Sequence, residues 1–261
     1  MDLGLDDRTA LVTGGGGRLG SEDCRRLAVE GADVVVLDVD LDAAERVADE
    51  IDGMAQAEGE AFAVECDLTE RDDVAATVEG VREETGGVDV LVNNAGLVDA
   101  VSRVEGFPDD LWDRDLSVNL TGTFNVTREV FPAMCERGWG RVINMSSLAG
   151  TGGGFGQLSY STTKAGLVGF GKTLALEGAT SGVTSNIVAP SIVVGEIADL
   201  PPEQLEEVNP QWERIRQATP MEELGRESDV APLVAFLASD HARYITGQVV
   251  GVTGGADLFS F

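Results

Sequence analysis

Short, mostly apolar runs alternate with helical patterns from one end of the chain to the other. This alternation constrains the fold more than any single residue does. The apolar runs lie at 8–13, 34–37, 62–66, 88–92, 141–145, 183–188 and 248–252. A strand that is apolar on both faces must be covered on both faces, which is the habit of parallel sheets. Helical patterns over about 19–30, 41–57, 70–85, 110–137, 157–178 and 228–238 supply that cover. The fold class is therefore α/β, a doubly wound parallel sheet with helices on both faces. Such sheets bind ligands beyond the carboxyl ends of their strands. A length of 261 residues with no linker-like shift in composition predicts one domain over 1–261, with a segment at about 191–218 covering the substrate.

The first strand ends in Thr13-Gly14-Gly15-Gly16-Gly17-Arg18-Leu19-Gly20, and a helix follows at once. Glycines there let the backbone turn tightly and approach a pyrophosphate, which then sits on the helix N-terminus. A merely flexible loop has the same composition; the place between strand and helix favours the binding turn. Gly14, Gly17, Arg18 and Leu19 are its candidate contacts. Asp38 ends the second strand about 18 residues beyond Gly20. A carboxylate at that place hydrogen-bonds the adenosine ribose of NAD and repels the 2′-phosphate of NADP. The combination predicts a Rossmann-type sheet that prefers NAD(H) over NADP(H). The alternative for Asp38 is one more acid in an acid-rich chain.

Charge narrows the partners. With 46 Asp and Glu against 18 Lys and Arg, the formal net charge is -28. Nucleic acid and anionic membrane are repelled by such a surface. The acids come in short clusters such as Asp6-Asp7, Glu83-Glu84 and Asp109-Asp110, as on a solvated face. Lysine occurs only at 164 and 172. Many acids and few lysines suit a salt-adapted (halophilic) protein, since salt screens self-repulsion. Cys24, Cys66 and Cys135 are far apart and odd in number, which predicts buried free thiols rather than a disulfide framework. His241 is the only histidine, so no metal site and no Ser-His-Asp triad is expected. No leader-like stretch opens the chain and no apolar run reaches the roughly 18 residues that span a bilayer, which predicts a cytoplasmic protein.

Tyr160 and Lys164 are four apart on a helix and so share a face. A nearby ammonium favours a phenolate, which tunes a tyrosine for proton transfer. Ser147 lies thirteen residues before Tyr160, where its hydroxyl can stabilise charge on a substrate oxygen. In order along the chain stand Thr13-Gly14 through Leu19-Gly20, Cys66-Asp67-Leu68-Thr69, Asn93-Asn94-Ala95-Gly96, Asn119, Ser146-Ser147, Tyr160-Ser161-Thr162-Thr163-Lys164 and Tyr244-Ile245-Thr246-Gly247-Gln248. In this order the chain resembles the short-chain dehydrogenases/reductases, and among them ketoacyl reductases and hydroxyacyl dehydrogenases. The resemblance implies an oxidoreductase that moves a hydride between nicotinamide and a secondary alcohol or ketone. It implies Tyr160 as general acid/base, Ser147 on the substrate oxygen, Lys164 on the nicotinamide ribose and Asn119 on a proton-relay water. Asp67 and Leu68 would flank the adenine. Asn94, Ala95 and Gly96 would floor the cleft, and Pro190 and Val193 would meet the nicotinamide. The chain departs from the family pattern at Arg18, usually glycine, at Ser191 and Gly195, usually glycine and threonine, and at Thr253.

A 3-hydroxyacyl or 3-oxoacyl thioester is one substrate class the resemblance allows; a sugar or other small secondary alcohol is the alternative. A protein of this fold that only binds a dinucleotide would typically lack the tyrosine or lysine. Leu205, Val208, Trp212 and Ile215 recur near helical spacing, as in an amphipathic lid helix or a helix packed on the body. Gly150 to Gly156 reads as a loop beside the serine, with Phe155 as an apolar contact. Resemblance also implies a homotetramer through the helices at 110–137 and 157–178 and the last strand, with Ala165, Gly166, Gly169 and Gly171 as a small-residue surface.

Overall fold

The computed structural model describes residues 2–98 and 101–258. Its strands are β1 (Thr9–Thr13), β2 (Asp33–Asp38), β3 (Ala61–Glu65), β4 (Val90–Asn93), β5 (Gly140–Met145), β6 (Val183–Pro190) and β7 (Val249–Val252). All pair in parallel, in the order β3-β2-β1-β4-β5-β6-β7. The chain runs outward from β1 to β3, then returns to the other side of β1. A crevice therefore opens between the carboxyl ends of β1 and β4, the switch point where ligands of such sheets bind.

The period of two along each strand divides the core between the two faces. Ala10, Val12, Val34 and Val36 pack on one side with residues of α1 (Arg18–Val29), α2 (Leu41–Asp52) and α10 (Glu227–Ala238). Leu11, Val35 and Leu37 pack on the other with residues of α3 (Arg71–Thr85), α5 (Thr123–Arg137) and α7 (Leu158–Gly178). Each fully buried Val or Leu contributes about 1.5–3 kcal/mol.

Five expectations need revision. The helix expected over 41–57 stops at Asp52, capped by Gly53. The helical stretch over 110–137 is α4 (Asp109–Leu116), a π-helical segment Ser117–Gly122, and α5. The segment at 191–218 does not contain one amphipathic helix. Asn209 caps, and Pro210 begins, a second short helix, so α8 (Pro202–Val208) and α9 (Pro210–Ala218) are separate. Leu205, Trp212 and Ile215 pack with Val194 and Leu224, whereas Val208 is exposed. The proposed small-residue surface is only half present. Ala165 and Gly169 are exposed, but Gly166 backs onto Leu120 and Gly171 onto Asn144 and Ile187. Cys24 and Cys66 are buried free thiols, and Cys135 is only half-buried.

Asp23 is a buried acid on α1 with neither carboxylate oxygen hydrogen-bonded. Burial, aided by the neighbouring Glu22, pushes its carboxyl well above the usual range. Below the ordinary carboxylate pKa both folded and unfolded chains hold this proton. Above it the unfolded chain releases the proton first, so stability falls as pH rises toward the folded value. Asp23→Asn should remove this slope and so raise stability at neutral pH, because the amide has no charged form that burial penalises. Urea melts at pH 4 to 8 check it; a variant with unchanged slope and lower stability would refute it.

Candidate active site

The turn after β1 is held by its own hydrogen bonds. Gly15 N–H donates to Leu37 O at 3.0 Å, and Gly17 N–H to Gly14 O at 3.1 Å. Gly14 has φ +64°, and a Cβ there would stand 2.9 Å from Ala95 Cα, so glycine is required on both counts. Asn94 Nδ2 donates to Thr13 O and Gly14 O, each at 3.1 Å. Thr13 Oγ1 accepts from the amides of Asn94 and Ala95, each at 3.1 Å. Asn94 and Ala95 thus tie the end of β4 to the start of the glycine turn, whereas Gly96 stands beside Lys164. Thr13 joins them; sequence reading passed it over because a threonine ending a strand needs no special explanation.

Asp38 closes β2 beside this turn. Its Oδ2 accepts from Gly16 N–H at 2.9 Å, and its Oδ1 from Asp40 N–H at 3.1 Å. A Cβ on Gly16 would lie 3.0 Å from that Oδ2 and 2.8 Å from Ala43 Cβ. The bare backbone there makes a cradle that any side chain would fill, next to a fixed carboxylate. These groups fit a dinucleotide. Gly17 caps α1, Arg18 begins it, and Leu19 packs on the core beneath. Leu68 is buried, with its carbonyl accepting from Asn125 Nδ2 at 2.8 Å. Asp67 Oδ1 accepts from Thr69 N–H and Oγ1 at 2.9 and 2.7 Å, a local turn. Pro190 ends β6 opposite Val252, and Val193 bridges to Gly225.

The chemistry-bearing side chains lie at the same end of the sheet. Ser147 follows β5 and caps α6 (Leu148–Gly152), its Oγ accepting from Ala149 N–H at 3.1 Å. That helix occupies part of the expected loop; Phe155 beyond it is exposed. Burial pushes the Tyr160 hydroxyl up, and a hydrogen bond with Ser147 pulls it back. The expected lowering by Lys164 is not what this geometry gives. Lys164 Nζ is 5.7 Å from the Tyr160 ring centroid and donates to Met145 O at 2.7 Å. Lys164 is itself buried, which lowers its pKa to about 8. A Cβ on Gly96 would come within 3.0 Å of that Nζ.

Asn119 is fully buried within the π-helical segment, a kind of insertion common at functional sites. Its Oδ1 accepts from Leu97 N–H at 2.7 Å, while its Nδ2 donates to Leu97 O at 3.0 Å and to Thr163 Oγ1 at 3.2 Å. Thr163 Oγ1 donates in turn to Tyr160 O at 2.9 Å. One turn away, Ser159 donates to the buried Asp115. Ser159 and Asp115 escaped sequence reading, and Thr163 stood in the Tyr160–Lys164 motif without a role. The spacing of four between Asp115 and Asn119, matched by Ser159 and Thr163, was the available signal.

Among the described residues no group of three or more His, Cys, Asp or Glu is placed to hold a metal ion. None of the described helices is long and apolar enough to cross a membrane.

Comparison with known proteins agrees with this geometry. Residues 8–204 match the short chain dehydrogenase family model. Nodulation protein G of Rhizobium meliloti is 39% identical over 96% of this chain and 97% of its own. A 3-oxoacyl-(acyl-carrier-protein) reductase of Staphylococcus epidermidis is 37% identical over 95% of this chain and 98% of its own. Among solved structures, levodione reductase superposes with a TM-score of 0.89 at 30% identity, over 98% of this chain and 100% of its own. NAD+-bound xylitol dehydrogenase superposes with a TM-score of 0.87 at 28% identity, over 97% and 100%. The chain belongs to the short-chain dehydrogenases/reductases, oxidoreductases that use a nicotinamide dinucleotide and act on CH–OH and keto groups.

Proposed function

We propose that this enzyme interconverts a 3-hydroxyacyl and a 3-oxoacyl thioester with NAD(H). The observation that carries the chemistry is the Ser147–Tyr160 hydroxyl pair, backed by buried Lys164, at the end of the sheet that also carries the glycine turn and Asp38. Bound nicotinamide supplies or accepts the hydride. Tyr160 gives its proton to the carbonyl oxygen in reduction and takes it from the alcohol in oxidation. Ser147 holds that oxygen and stabilises charge on it. Lys164 holds the nicotinamide ribose, and Asn119, its side chain committed to Leu97 and Thr163, orders the water through which the proton leaves. Gly14, Gly17, Arg18 and Leu19 take the diphosphate, Asp38 the adenosine ribose, and Asp67 and Leu68 the adenine. Asn94, Ala95 and Gly96 floor the cleft, while Pro190 and Val193 meet the nicotinamide.

Exposed apolar side chains favour an acyl chain over a sugar. Val101, Val104 and Phe155 are all exposed beyond β4 and β5, with Arg103 over the Phe155 ring. The segment at 191–218, within one domain, covers the bound acyl group. A substrate panel followed by NADH absorbance tests this: acyl thioesters should outpace polyols, and the reverse ranking would replace this reading with the sugar-alcohol one.

We also propose a salt-adapted cytoplasmic homotetramer, joined through the helical stretches at 110–137 and 157–178 and through β7; Phe124, Ala165, Gly169 and Leu176 are exposed on those helices. The net charge of -28 supports the salt dependence. The Debye length shrinks to about 3 Å at 1 M salt, so the melting temperature should rise from dilute to molar KCl. Light scattering in the same series should report four chains. A flat or falling melting temperature counts against salt adaptation, and a monomer at molar KCl against the assembly.

A further inference from the structure

The Arg18 side chain turns toward the start of α10. Its Nη2 donates to Glu227 Oε1 in the first turn of α10, at 2.5 Å. Gly195, which follows β6, stands against both partners. A Cβ there would lie 3.0 Å from Arg18 Nη2 and 2.9 Å from Glu227 Oε2. Its φ of +62° further favours glycine. The two departures from the family pattern, at 18 and at 195, are therefore one feature. The guanidinium fills the space that a side chain at 195 would need.

The location gives this feature a purpose. Arg18 lies between the turn after β1 and the segment after β6, both at the carboxyl end of the sheet. The Val193–Gly225 bridge and an ion pair from Arg226 to Asp199 tie that segment to the start of α10. The Glu227 side chain is 16% exposed and the Arg18 side chain 62%, so the anchor is sheltered and the cation is open to solvent. A planar guanidinium can give one edge to a carboxylate and still present N–H donors to a phosphate. In a chain of net charge -28, a dianionic diphosphate needs a placed cation.

We propose that Arg18, Glu227 and Gly195 form a diphosphate clasp. Arg18 binds the dinucleotide's diphosphate from the side of the post-β6 segment, Glu227 anchors the guanidinium, and Gly195 leaves it room. This rests on the dinucleotide reading but concerns only the diphosphate, which NADH and NADPH share. The clasp contributes affinity and no discrimination between them.

The test is calorimetric titration of the full chain with ADP and, separately, adenosine, from about 0.1 to 1 M KCl. Arg18→Ala should weaken ADP binding about tenfold, a charge-assisted hydrogen bond being the loss, and leave adenosine within about twofold. It should also flatten the salt dependence of ADP binding. Glu227→Gln should weaken ADP by a smaller factor, about threefold, because the guanidinium loses its charged anchor. ADP binding by Arg18→Ala at wild-type affinity overturns the clasp. Tighter ADP binding by Glu227→Gln overturns the anchor, since the carboxylate would then be a competitor. A wild type that binds neither nucleotide overturns the dinucleotide site itself, a different failure from the first two.

Discussion

Tyr160→Phe should lower turnover by at least about a hundredfold, the lower end of what a general acid/base contributes. NADH affinity should stay within about twofold of wild type, measured by nicotinamide fluorescence, because the ring and its packing are kept. The pH profile separates a proton carrier from a packing residue. Burial raises the Tyr160 hydroxyl pKa, and Ser147 offsets part of that. Ketone reduction needs the protonated form, so its rate should stay level across neutral pH and fall only as the raised value is approached. Alcohol oxidation needs the phenolate, so its rate should climb with pH over the same range. In the Phe variant the residual oxidation should lose that climb. Near-wild-type turnover, or an unchanged oxidation profile in the Phe variant, would falsify the assignment of Tyr160.

Why these strands and this site are legible in the sequence is a matter of which forces are local. Each run located its strand to within two residues; β2 and β4 are almost continuously apolar because both their faces are covered, whereas β6 holds buried Thr184, Ser185 and Asn186 between its apolar ends. β6 extends to Pro190 because Ala189 and Pro190 pair with Gly251 and Val252, partners 62 residues away that no local pattern announces. The four-residue spacing of Tyr160 and Lys164 put them on one helical face, as found. What spacing did not carry was the balance of effects between them. Lys164 turns its ammonium to Met145 O, and burial outweighs its influence on the tyrosine. The single helix expected over Leu205 to Ile215 fails for a similar reason. Leu205, Trp212 and Ile215 keep helical spacing across Asn209-Pro210, yet an asparagine cap followed by proline starts a new helix. Glu227 was invisible as a partner of Arg18 because only the packing of α10 beside α1 brings residues 209 apart in sequence together.

The other large effect is cofactor choice. Two backbone amides, Gly16 and Asp40, hold the Asp38 carboxylate at the edge of the glycine turn. Held there, it can accept both ribose hydroxyls of an adenosine but cannot swing away from a phosphate. An NADP 2′-phosphate carries close to two negative charges, and placing it beside a carboxylate in a partly desolvated cleft is costly. Only a cation nearby could offset that cost, and Arg18 is committed on the opposite side to Glu227. NADH should therefore exceed NADPH in kcat/KM by at least about tenfold, a difference of only about 1.4 kcal/mol. Asp38→Ala should narrow the ratio, chiefly by improving NADPH, since the repulsive group is gone. Arg18→Ala should lower efficiency with both cofactors and leave their ratio within about twofold, because the diphosphate is common to both. Steady-state kinetics with the two reduced cofactors decides the matter. A wild type that turns over NADPH faster than NADH would mean that Asp38 does not face the ribose, and that the guanidinium of Arg18 leaves Glu227 to meet the 2′-phosphate.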